Sequence, residues 1–312
     1  MTEAKATREA YGEALAELAQ KNPNIVALDA DLNDSTRSDY IKRADPKRFI
    51  GVGIAEQSLI GTAAGLSVSG KIPFASTFAI FSERAFEFMR NIVSRNKLNV
   101  KLAGSHGGIH TGDDGKSAQA IEDISIYRSL PYVAVIQPCD YIETKKAMYF
   151  LAEHNGPSYL RLLRNALPII HDVNYEFKFG KGEILRKGKD AAIFATGTMV
   201  HESLKAVEIL SKKNIDVYVV NIHTIKPIDT ELIIKLAKET NCIITAEDHN
   251  IIGGLGSAVA EALSENYPCI LKRIGVEDKY GESGKPDLLY EKYGLSASHI
   301  ADKVASIVKK KK

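Results

Sequence analysis

Short apolar runs alternate with helix-like stretches along this chain of 312 residues, and this alternation constrains the fold more than any other feature. Residues 7–20 carry apolar side chains at the spacing of an amphipathic helix, and a short apolar run follows at 24–28. Buried strands that alternate with helices form parallel βαβ units. The alternation lapses at 164–185, which we interpret as a linker, and then resumes. The two series predict two α/β domains, at residues 1–170 and 183–312.

The composition argues against several classes of protein. The 41 Lys and Arg residues nearly balance the 39 Asp and Glu residues, so the chain lacks the basic surface typical of nucleic-acid-binding proteins. The three cysteines have no paired spacing, which disfavours a disulfide framework or a cysteine-based zinc site. No apolar run reaches the roughly 18 residues that span a bilayer, and residues 1–13 do not resemble a signal peptide. We expect a soluble, cytoplasmic protein with no membrane or nucleic-acid partner.

Ligands of open parallel sheets bind beside the carboxyl ends of the strands. In the first domain this rule selects five loops, at residues 29–36, 53–57, 76–82, 104–118 and 161–165. The loop at 53–57 leads into an apolar helix and carries a glutamate, Glu56. This carboxylate either complements the helix dipole or, half-buried, shares a proton with a ligand. Spacing alone does not distinguish the two.

The segment 104–115 contains five glycines and two histidines, His106 and His110. Glycines let the backbone approach a ligand closely, which favours a ligand-lining loop over a plain surface turn. A metal site formed by the histidines with Asp113 or Asp114 is a less favoured alternative. The glycines oppose the helix on which H-x-x-x-H ligands are usually placed. The segment also lacks the glycine patterns of nucleotide-binding motifs.

Four phenylalanines follow the strand predicted at 72–76. Phe86 and Phe88 have the spacing of core residues. Phe78 and Phe81 lie at the exit of the strand, where their faces can contact an aromatic ring. The strand exit is therefore a candidate contact for an aromatic ligand.

Taken together, these segments resemble the transketolase family of thiamine diphosphate enzymes. The resemblance continues in order along nearly the whole chain, which makes chance a poor explanation. The matching stretches are Ala6-Thr7-Arg8, Asp31-Leu32-Asn33-Asp34-Ser35, residues 49–57, residues 76–81, Gly104-Ser105-His106-Gly107, Gly112-Asp113-Asp114-Gly115, residues 157–164, Thr224-Ile225-Lys226-Pro227, Glu247-Asp248-His249, Gly253-Gly254-Leu255-Gly256 and Ser283-Gly284-Lys285-Pro286.

The resemblance covers the family's pyrimidine-binding domain, with a parallel sheet flanked by helices, and its smaller α/β carboxyl-terminal domain. Full-length transketolases begin with a further domain that holds the cofactor's diphosphate through Mg²⁺, using a Gly-Asp-Gly motif and a later Asn. No such motif follows a strand here, and residues 112–115 belong to the pyrimidine-binding domain. The resemblance implies the carboxyl-terminal subunit of a split transketolase. A separate amino-terminal subunit would hold Mg²⁺, in a heterotetramer with two copies of this chain.

The resemblance assigns Glu56 as the catalytic glutamate that bonds a ring nitrogen of the cofactor's aminopyrimidine and favours its imino form. A carboxyl that shares a proton suits this role, so the catalytic interpretation becomes the favoured one. Phe78 and Phe81 match the aromatic wall against the same ring. The other positions matched to the cofactor site are Ile54, Asp31, Leu32 and Arg84.

The resemblance also assigns residues to the substrate. The positions that match the sugar-phosphate contacts of transketolases are Arg8, Ser35, His106 and Arg164. An arginine fork suits a phosphate dianion, and a hydroxyl and an imidazole complete the contacts to its oxygens. Asp114 matches the carboxylate that reads substrate hydroxyls. The plainer alternatives are surface charges for the two arginines and a helix N-cap for Ser35.

One stretch departs from the family pattern. Some transketolases have a histidine shortly after the position of Asp114, in Gly-Pro-Thr-His, whereas this chain has Ala118 there and Lys116 in place of the proline. The vertebrate-like branch also lacks that histidine and also has an arginine at the position of Arg84, so the departure does not exclude activity. It affects the expected substrate contacts, and we expect Lys116 to be solvated.

The favoured function is transfer of a two-carbon ketol unit between sugar phosphates at a site shared with the partner subunit. Within the superfamily, the alternatives are a deoxyxylulose-phosphate synthase-like enzyme and the beta subunit of a 2-oxoacid dehydrogenase. Arg164, together with residues 76–78 and 104–106, favours phosphosugar chemistry. A non-catalytic α/β interaction module is the alternative of a different class, and Glu56 beside the aromatic pair argues against it.

The second domain carries an acidic motif at 247–249 and a glycine-rich turn at 253–256. Glycines at a strand-to-helix turn can hold an anion on the helix N-terminus. The resemblance assigns this domain mainly to assembly, and we therefore expect His249 and these glycines to be structural.

Overall fold

The computed structural model describes residues 3–311. The strands are β1 (Ala4–Ala6), β2 (Ile25–Asp29), β3 (Phe49–Gly51), β4 (Ile72–Phe78), β5 (Lys101–Ser105), β6 (Ala134–Ile136), β7 (Ser158–Arg161), β8 (Ala166–Pro168), β9 (Glu183–Arg186), β10 (Ala191–Ala195), β11 (Val217–Asn221), β12 (Thr224–Lys226), β13 (Cys242–Asn250) and β14 (Ile270–Val276). The α-helices are α1 (Thr7–Lys21), α2 (Asn33–Thr36), α3 (Asp39–Ala44), α4 (Glu56–Val68), α5 (Ala79–Ser82), α6 (Phe86–Phe88), α7 (Asp123–Ser129), α8 (Tyr141–Glu153), α9 (Thr198–Ser211), α10 (Thr230–Thr240), α11 (Leu255–Asn266), α12 (Pro286–Tyr293) and α13 (Ala297–Lys311).

The first sheet has seven strands in the order β12-β6-β7-β5-β4-β2-β3. All neighbouring strands are parallel except the antiparallel pair β12–β6. Helices α1 and α8 pack on one face, and α4 and α7 pack on the other. Strands β2 and β6 are buried along their whole length, which explains why they form short apolar runs in the sequence.

The second sheet has five strands in the order β14-β13-β10-β11-β9, and only β9 is antiparallel to its neighbour. Helices α9 and α13 cover one face, and α10 and α11 cover the other. The predicted α/β fold class, a parallel sheet flanked by helices followed by a smaller α/β unit, is confirmed. The boundaries at residues 170 and 183 stay a prediction, and β12 joins the first sheet from beyond residue 170.

The stretch at 164–185 is more than the linker we expected. Strand β8 lies within it and pairs antiparallel with β1, with Ala6 opposite Ala166, and β9 begins at Glu183. These strands have only three or four residues and are partly exposed, so they carry no hydrophobic period. The β1–β8 pair brings the chain after β1 beside the chain before β8.

The segment 82–95 is helical, but it is broken into short pieces. Helix α5 leads into a 3₁₀ turn at Glu83–Ala85, then into α6 and a π-helix at Met89–Ser94. Helix α12 was not anticipated. Among the helices of residues 3–311, none combines the length and apolar character needed to cross a bilayer.

Candidate active site

The carboxyl ends of five neighbouring strands meet at one edge of the first sheet, where open α/β sheets bind ligands. These strands are β7, β5, β4, β2 and β3. They end at Arg161, Ser105, Phe78, Asp29 and Gly51. The loops selected from the sequence therefore lie together at this edge.

A cleft of about 520 Å³ opens at this edge. All five residues predicted to contact the substrate line it, together with the aromatic residue Phe78. The lining residues are Arg8, Asp34, Ser35, Arg37, Phe78, His106, Asp114, Ala118 and Arg164. The fold thus brings together side chains from distant parts of the chain, and Ala118 lies among them.

The β1–β8 pair brings two arginines of the cleft together. Arg8 lies two residues after the end of β1, and Arg164 lies two residues before the start of β8. The hydroxyl of Thr7 accepts a hydrogen bond from the backbone N–H of Leu163 at 2.7 Å, which fixes the two segments against each other. The short antiparallel pair, which the sequence did not reveal, is the reason that both guanidinium groups reach one cleft.

Both arginines make contacts within the cleft. Arg8 Nη1 donates to the carbonyl oxygen of Ser35 at 2.9 Å, and Arg164 Nη1 lies 3.2 Å from Asp114 Oδ1. Both guanidinium-bearing residues are half-buried, so neither is a plain surface charge. Ser35 lies inside α2, and the N-cap of that helix is another residue. The N-cap alternative for Ser35 is therefore wrong.

His106 is buried and stacks on Phe78, with ring centroids 3.7 Å apart. Phe78 also stacks on Phe81, with centroids 5.5 Å apart and the rings only 8° from parallel. The Nδ1 atom of His106 is bonded to the Ser105 hydroxyl at 2.8 Å, and Nε2 has no partner among residues 3–311. Burial and the nearby arginines lower the pKa of His106 to about 3, so the ring is neutral at neutral pH.

Glu56 is the first residue of α4 and is only 3% exposed. Its Oε2 atom lies 3.7 Å from Nε of the exposed Arg84, and no described residue donates a hydrogen bond to it. A carboxylate that only complemented a helix dipole would have no reason to be buried. Helix α4 packs against β4, which ends at Phe78, so this carboxyl and the aromatic pair occupy adjacent elements. Ile54, just before the helix, is 77% exposed.

The loop after β2 is held by Asp29, a residue that the sequence did not single out. Its buried carboxylate accepts hydrogen bonds from the backbone of Leu32 at 2.5 Å and from the hydroxyls of Thr36 and Ser38 at 2.7 and 2.8 Å. Burial raises the pKa of Asp29 to about 6. The loop presents Asp31 to solvent and leaves Leu32 half-buried, and the contacts of both residues to a cofactor stay predictions.

A buried ion pair supports the same edge and was also missed. Arg161 is fully buried at the end of β7 and contacts both carboxylate oxygens of Asp123, at 2.7 and 2.9 Å. Its remaining nitrogen donates to the carbonyl oxygen of Asp248 at 3.0 Å. The pair thus ties the first sheet to β13 of the second.

Asp248 also shapes the glycine-rich loop. Its carboxylate accepts hydrogen bonds from the backbone of Ile109 at 2.9 Å, from the backbone of His110 at 3.0 Å and from the Tyr290 hydroxyl at 2.9 Å. Gly108 has a φ of 78°, and a Cβ atom there would collide with this carboxylate. Asp248, in the acidic motif at 247–249, therefore stabilises the conformation of the glycine-rich loop.

A second polar cluster lies at the junction of the two sheets. The donor atoms of Cys139, Glu143 and His171 lie within 4.8 Å of one another, which is the one group with metal-ligand spacing in residues 3–311. Two of its members are already paired, because His171 bonds Asp140 and Glu183 at 2.8 Å each and the Glu143 carboxylate accepts three hydrogen bonds. Burial alone would lower the pKa of His171, but the two carboxylates raise it to about 10. We assign this cluster a structural role.

Comparison with known proteins gives matches over most of the chain. The family "Transketolase, pyrimidine binding domain" matches residues 3–169, and "Transketolase, C-terminal domain" matches residues 180–300. A putative transketolase C-terminal section from Methanocaldococcus jannaschii is 47% identical over 310 residues, which cover 98% of this chain and 97% of that protein. A 6-deoxy-6-sulfo-D-fructose transketolase subunit from Clostridium sp. is 43% identical and covers 97% of this chain and 95% of its own length.

Longer relatives and a solved structure extend these matches. Human transketolase is 37% identical over 309 residues, and the match covers 98% of this chain but 49% of the human protein. A solved structure of a split-gene transketolase, described as an inactive beta4 tetramer, has a TM-score of 0.91 and 48% identity, covering 97% of this chain and 98% of that one. The chain belongs to the transketolase family and comprises its pyrimidine-binding and carboxyl-terminal domains.

Proposed function

We propose that this chain is the carboxyl-terminal subunit of a thiamine diphosphate-dependent transketolase, which transfers a two-carbon ketol unit from a ketose phosphate to an aldose phosphate. The observation that carries the proposal is the position of Phe78. Its ring stacks on Phe81 on the cofactor side and on His106 in the arginine-lined cleft. The proposed cofactor wall and the substrate cleft are therefore parts of one continuous site.

The side chains at this edge fit the aminopyrimidine half of the cofactor. A stacked aromatic pair offers a flat apolar wall, and Glu56 offers a buried carboxyl whose nearest cation, on Arg84, is 3.7 Å away. When bound, thiamine diphosphate supplies the carbanion chemistry. Glu56 holds a proton at the ring nitrogen, and the aromatic wall orients the ring without adding charge.

The diphosphate and Mg²⁺ do not fit the residues at this edge. Asp114, in the only Gly-Asp-Asp-Gly stretch of the chain, faces Arg164 and lines the substrate cleft. The positive charge of Arg164 beside this carboxylate opposes the binding of a cation there. We therefore assign Mg²⁺ and the diphosphate to a separate amino-terminal subunit. The match to about half of human transketolase supports this division, and two-fold symmetry would give a heterotetramer with two copies of this chain.

Different residues of the cleft contact different parts of the substrate in the proposed site. Arg8 and Arg164 bind the terminal phosphate, and the Ser35 hydroxyl completes its contacts. His106 remains neutral, with Nδ1 held by a neighbouring hydroxyl, so its Nε2 can contact a substrate oxygen without carrying charge. Asp114 accepts hydrogen bonds from sugar hydroxyls.

Reconstitution tests the proposal. The purified chain is mixed with the product of a neighbouring gene that carries a Gly-Asp-Gly motif, and with thiamine diphosphate and Mg²⁺. Ketol transfer from xylulose 5-phosphate to ribose 5-phosphate is then measured. We expect transfer with both chains and none with either chain alone. Transfer by this chain alone would contradict the shared site, and a pure, assembled complex without transfer would contradict the proposed activity.

A further inference from the structure

A third arginine lines the cleft beside the two that the sequence predicted. Arg164 lies 3.2 Å from Asp114, and Arg37 donates from Nε to Glu9 at 2.7 Å. Arg8 has no carboxylate within salt-bridge distance among residues 3–311, and its buried Nε atom has no hydrogen-bond partner. Asp34 and Asp114 also line the cleft, so its lining holds three arginines and two carboxylates, an excess of one positive charge.

The surrounding groups respond to this excess of positive charge. After burial, the causes that lower the pKa of His106 are the guanidinium groups of Arg8, Arg164 and Arg37. Burial followed by Arg37 likewise lowers the pKa of Arg8. A cleft with an excess of positive charge attracts an anion of high charge more strongly than one of low charge.

Several contacts hold Arg37 at the rim of the cleft. Its backbone has a φ of 69°, which is rare for a residue other than glycine. It packs so closely on α1 that a Cβ atom at Gly12 would lie 2.5 Å from its carbonyl oxygen. Glu9 accepts hydrogen bonds from both Arg37 and the Tyr40 hydroxyl, the latter at 2.6 Å. Although burial alone would raise it, these two hydrogen bonds hold the pKa of Glu9 below its usual value.

This arrangement leaves one nitrogen of Arg37 unused. Nε is bound to Glu9, and Nη1 donates to the carbonyl oxygen of Asp34. Nη2 has no hydrogen-bond partner in the described residues 3–311, while the side chain lines the cleft. A guanidinium fixed at two nitrogens loses little further side-chain freedom when the third binds a ligand.

We propose that Arg37 is a third anion-binding residue that makes the cleft selective for a dianionic phosphate over a monoanionic sulfonate at the end of the sugar. The inference rests on the proposed function, because it concerns the substrate of the same site. Arg37 donates from Nη2 to the terminal group while Glu9 retains Nε. A phosphate dianion gains more from the added guanidinium than a sulfonate does.

The test compares two ketose donors that differ mainly in this terminal group, fructose 6-phosphate and 6-deoxy-6-sulfofructose. In the reconstituted complex we expect Arg37→Leu to raise the KM for the phosphate about tenfold and for the sulfonate about two- to threefold, with kcat little changed. Arg37→Lys keeps the charge and should retain most of the selectivity. Arg43→Leu is the matched control, since Arg43 is 71% exposed, pairs with Asp39 and does not line the cleft. Equal KM changes for both donors would overturn the inference.

A binding measurement separates this inference from the proposed function. Inorganic phosphate should raise the unfolding temperature of the full chain without partner or cofactor, and Arg37→Leu should reduce that rise while Arg43→Leu preserves it. If the complex transfers no ketol unit but this difference appears, the proposed function fails and Arg37 still binds the anion. If transfer occurs and the Arg37→Leu chain matches the wild type in both assays, the inference is wrong and the proposed function stands.

Discussion

The two sheets of the molecule carry polar side chains at the same position, the carboxyl end of a parallel strand, but use them differently. The first sheet ends in an open cleft lined by Arg8, whose Nε has no hydrogen-bond partner among residues 3–311. At the same edge, the carboxylate of Glu56 accepts no hydrogen bond from these residues. In the second sheet, Glu247, Asp248 and His249 of β13 are all fully buried. The same strand-end rule selects both edges, so position alone does not identify a ligand site.

Hydrogen-bond satisfaction separates the two edges. The carboxylate of Glu247 accepts from the backbone of Leu255 at 2.7 Å and of Gly256 at 2.8 Å, at the N-terminus of α11. The anion that the glycine-rich turn can hold is therefore the protein's own side chain. Polar groups that are satisfied internally stabilise the fold, whereas polar groups left unpaired beside a cleft have capacity for a ligand.

The largest expected effect is loss of catalysis at the first edge. Glu56→Gln removes the proton-sharing carboxyl while keeping its size, so ketol transfer by the reconstituted complex should fall about 10²- to 10⁴-fold. The unfolding temperature should stay near that of the wild type, because no described residue depends on this carboxylate for a hydrogen bond. Gln57→Ala, an exposed neighbour on α4, is the control. Retention of full activity by Glu56→Gln would refute the catalytic assignment.

At the second edge we expect loss of stability instead. Glu247→Ala leaves two buried backbone N–H groups of α11 unpaired, which should lower the free energy of unfolding by about 2–4 kcal/mol. Urea denaturation measures this change, and Glu265→Ala, exposed on the same helix, should have little effect. The kcat of the folded Glu247→Ala complex should stay within about twofold of the wild type, because Glu247 does not line the cleft. A large loss of kcat without loss of stability would give the second edge a functional role.

Binding of the phosphate should depend on Arg164. Arg164→Ala removes a charge-assisted hydrogen bond, so the KM for phosphosugars should rise about 10- to 100-fold with a smaller change in kcat. Arg95→Ala, at an exposed position, is the control. Initial rates over a range of donor concentrations distinguish the two constants. An unchanged KM would show that the phosphate binds elsewhere.

A substitution of His171, at the junction of the two sheets, should give the smallest change in the free energy of unfolding. The size of that change should depend on pH. Two carboxylates hold the pKa of His171 at about 10, above its ordinary value of 6.5. The charged form is favoured in the folded state, so its contribution is complete below about pH 6.5 and is lost as pH rises through about 10. His171→Gln should lower the free energy of unfolding by about 1–2 kcal/mol at pH 6.5, and the difference from wild type should shrink at higher pH. A difference that grows with pH would contradict this charge assignment.

The main strands and helices could be predicted from the sequence, because buried parallel strands and apolar helices have strong local patterns. It also singled out Glu56, at the start of α4, and the aromatic pair Phe78 and Phe81, which lie close together in the chain around the end of β4. It did not reveal the β1–β8 pair, because three-residue strands have no period and their pairing joins residues far apart. Arg37 could not be predicted either, because its position at the cleft depends on packing against α1, which is distant in the chain.

The supports of the site were equally invisible in the sequence. Asp29 and Arg161 look like ordinary ends of strands, and their roles arise from partners supplied by other loops. Asp248 belongs to a recognisable motif, but its hydrogen bonds reach backbone groups 138 and 139 residues away in the chain. A pattern in the sequence identifies residues near the chemistry more readily than the residues that hold them.

The central claim is that one copy of this chain supplies both the cofactor wall and the substrate cleft of each site. Mixing equal amounts of Glu56→Gln and Arg164→Ala chains with the wild-type partner subunit tests it most directly. If both residues serve one site from the same copy, the mixture should show only the average of the two residual activities. Recovery to about a quarter of wild-type activity, as expected when random pairing of two copies restores one site in a mixed assembly, would contradict the claim.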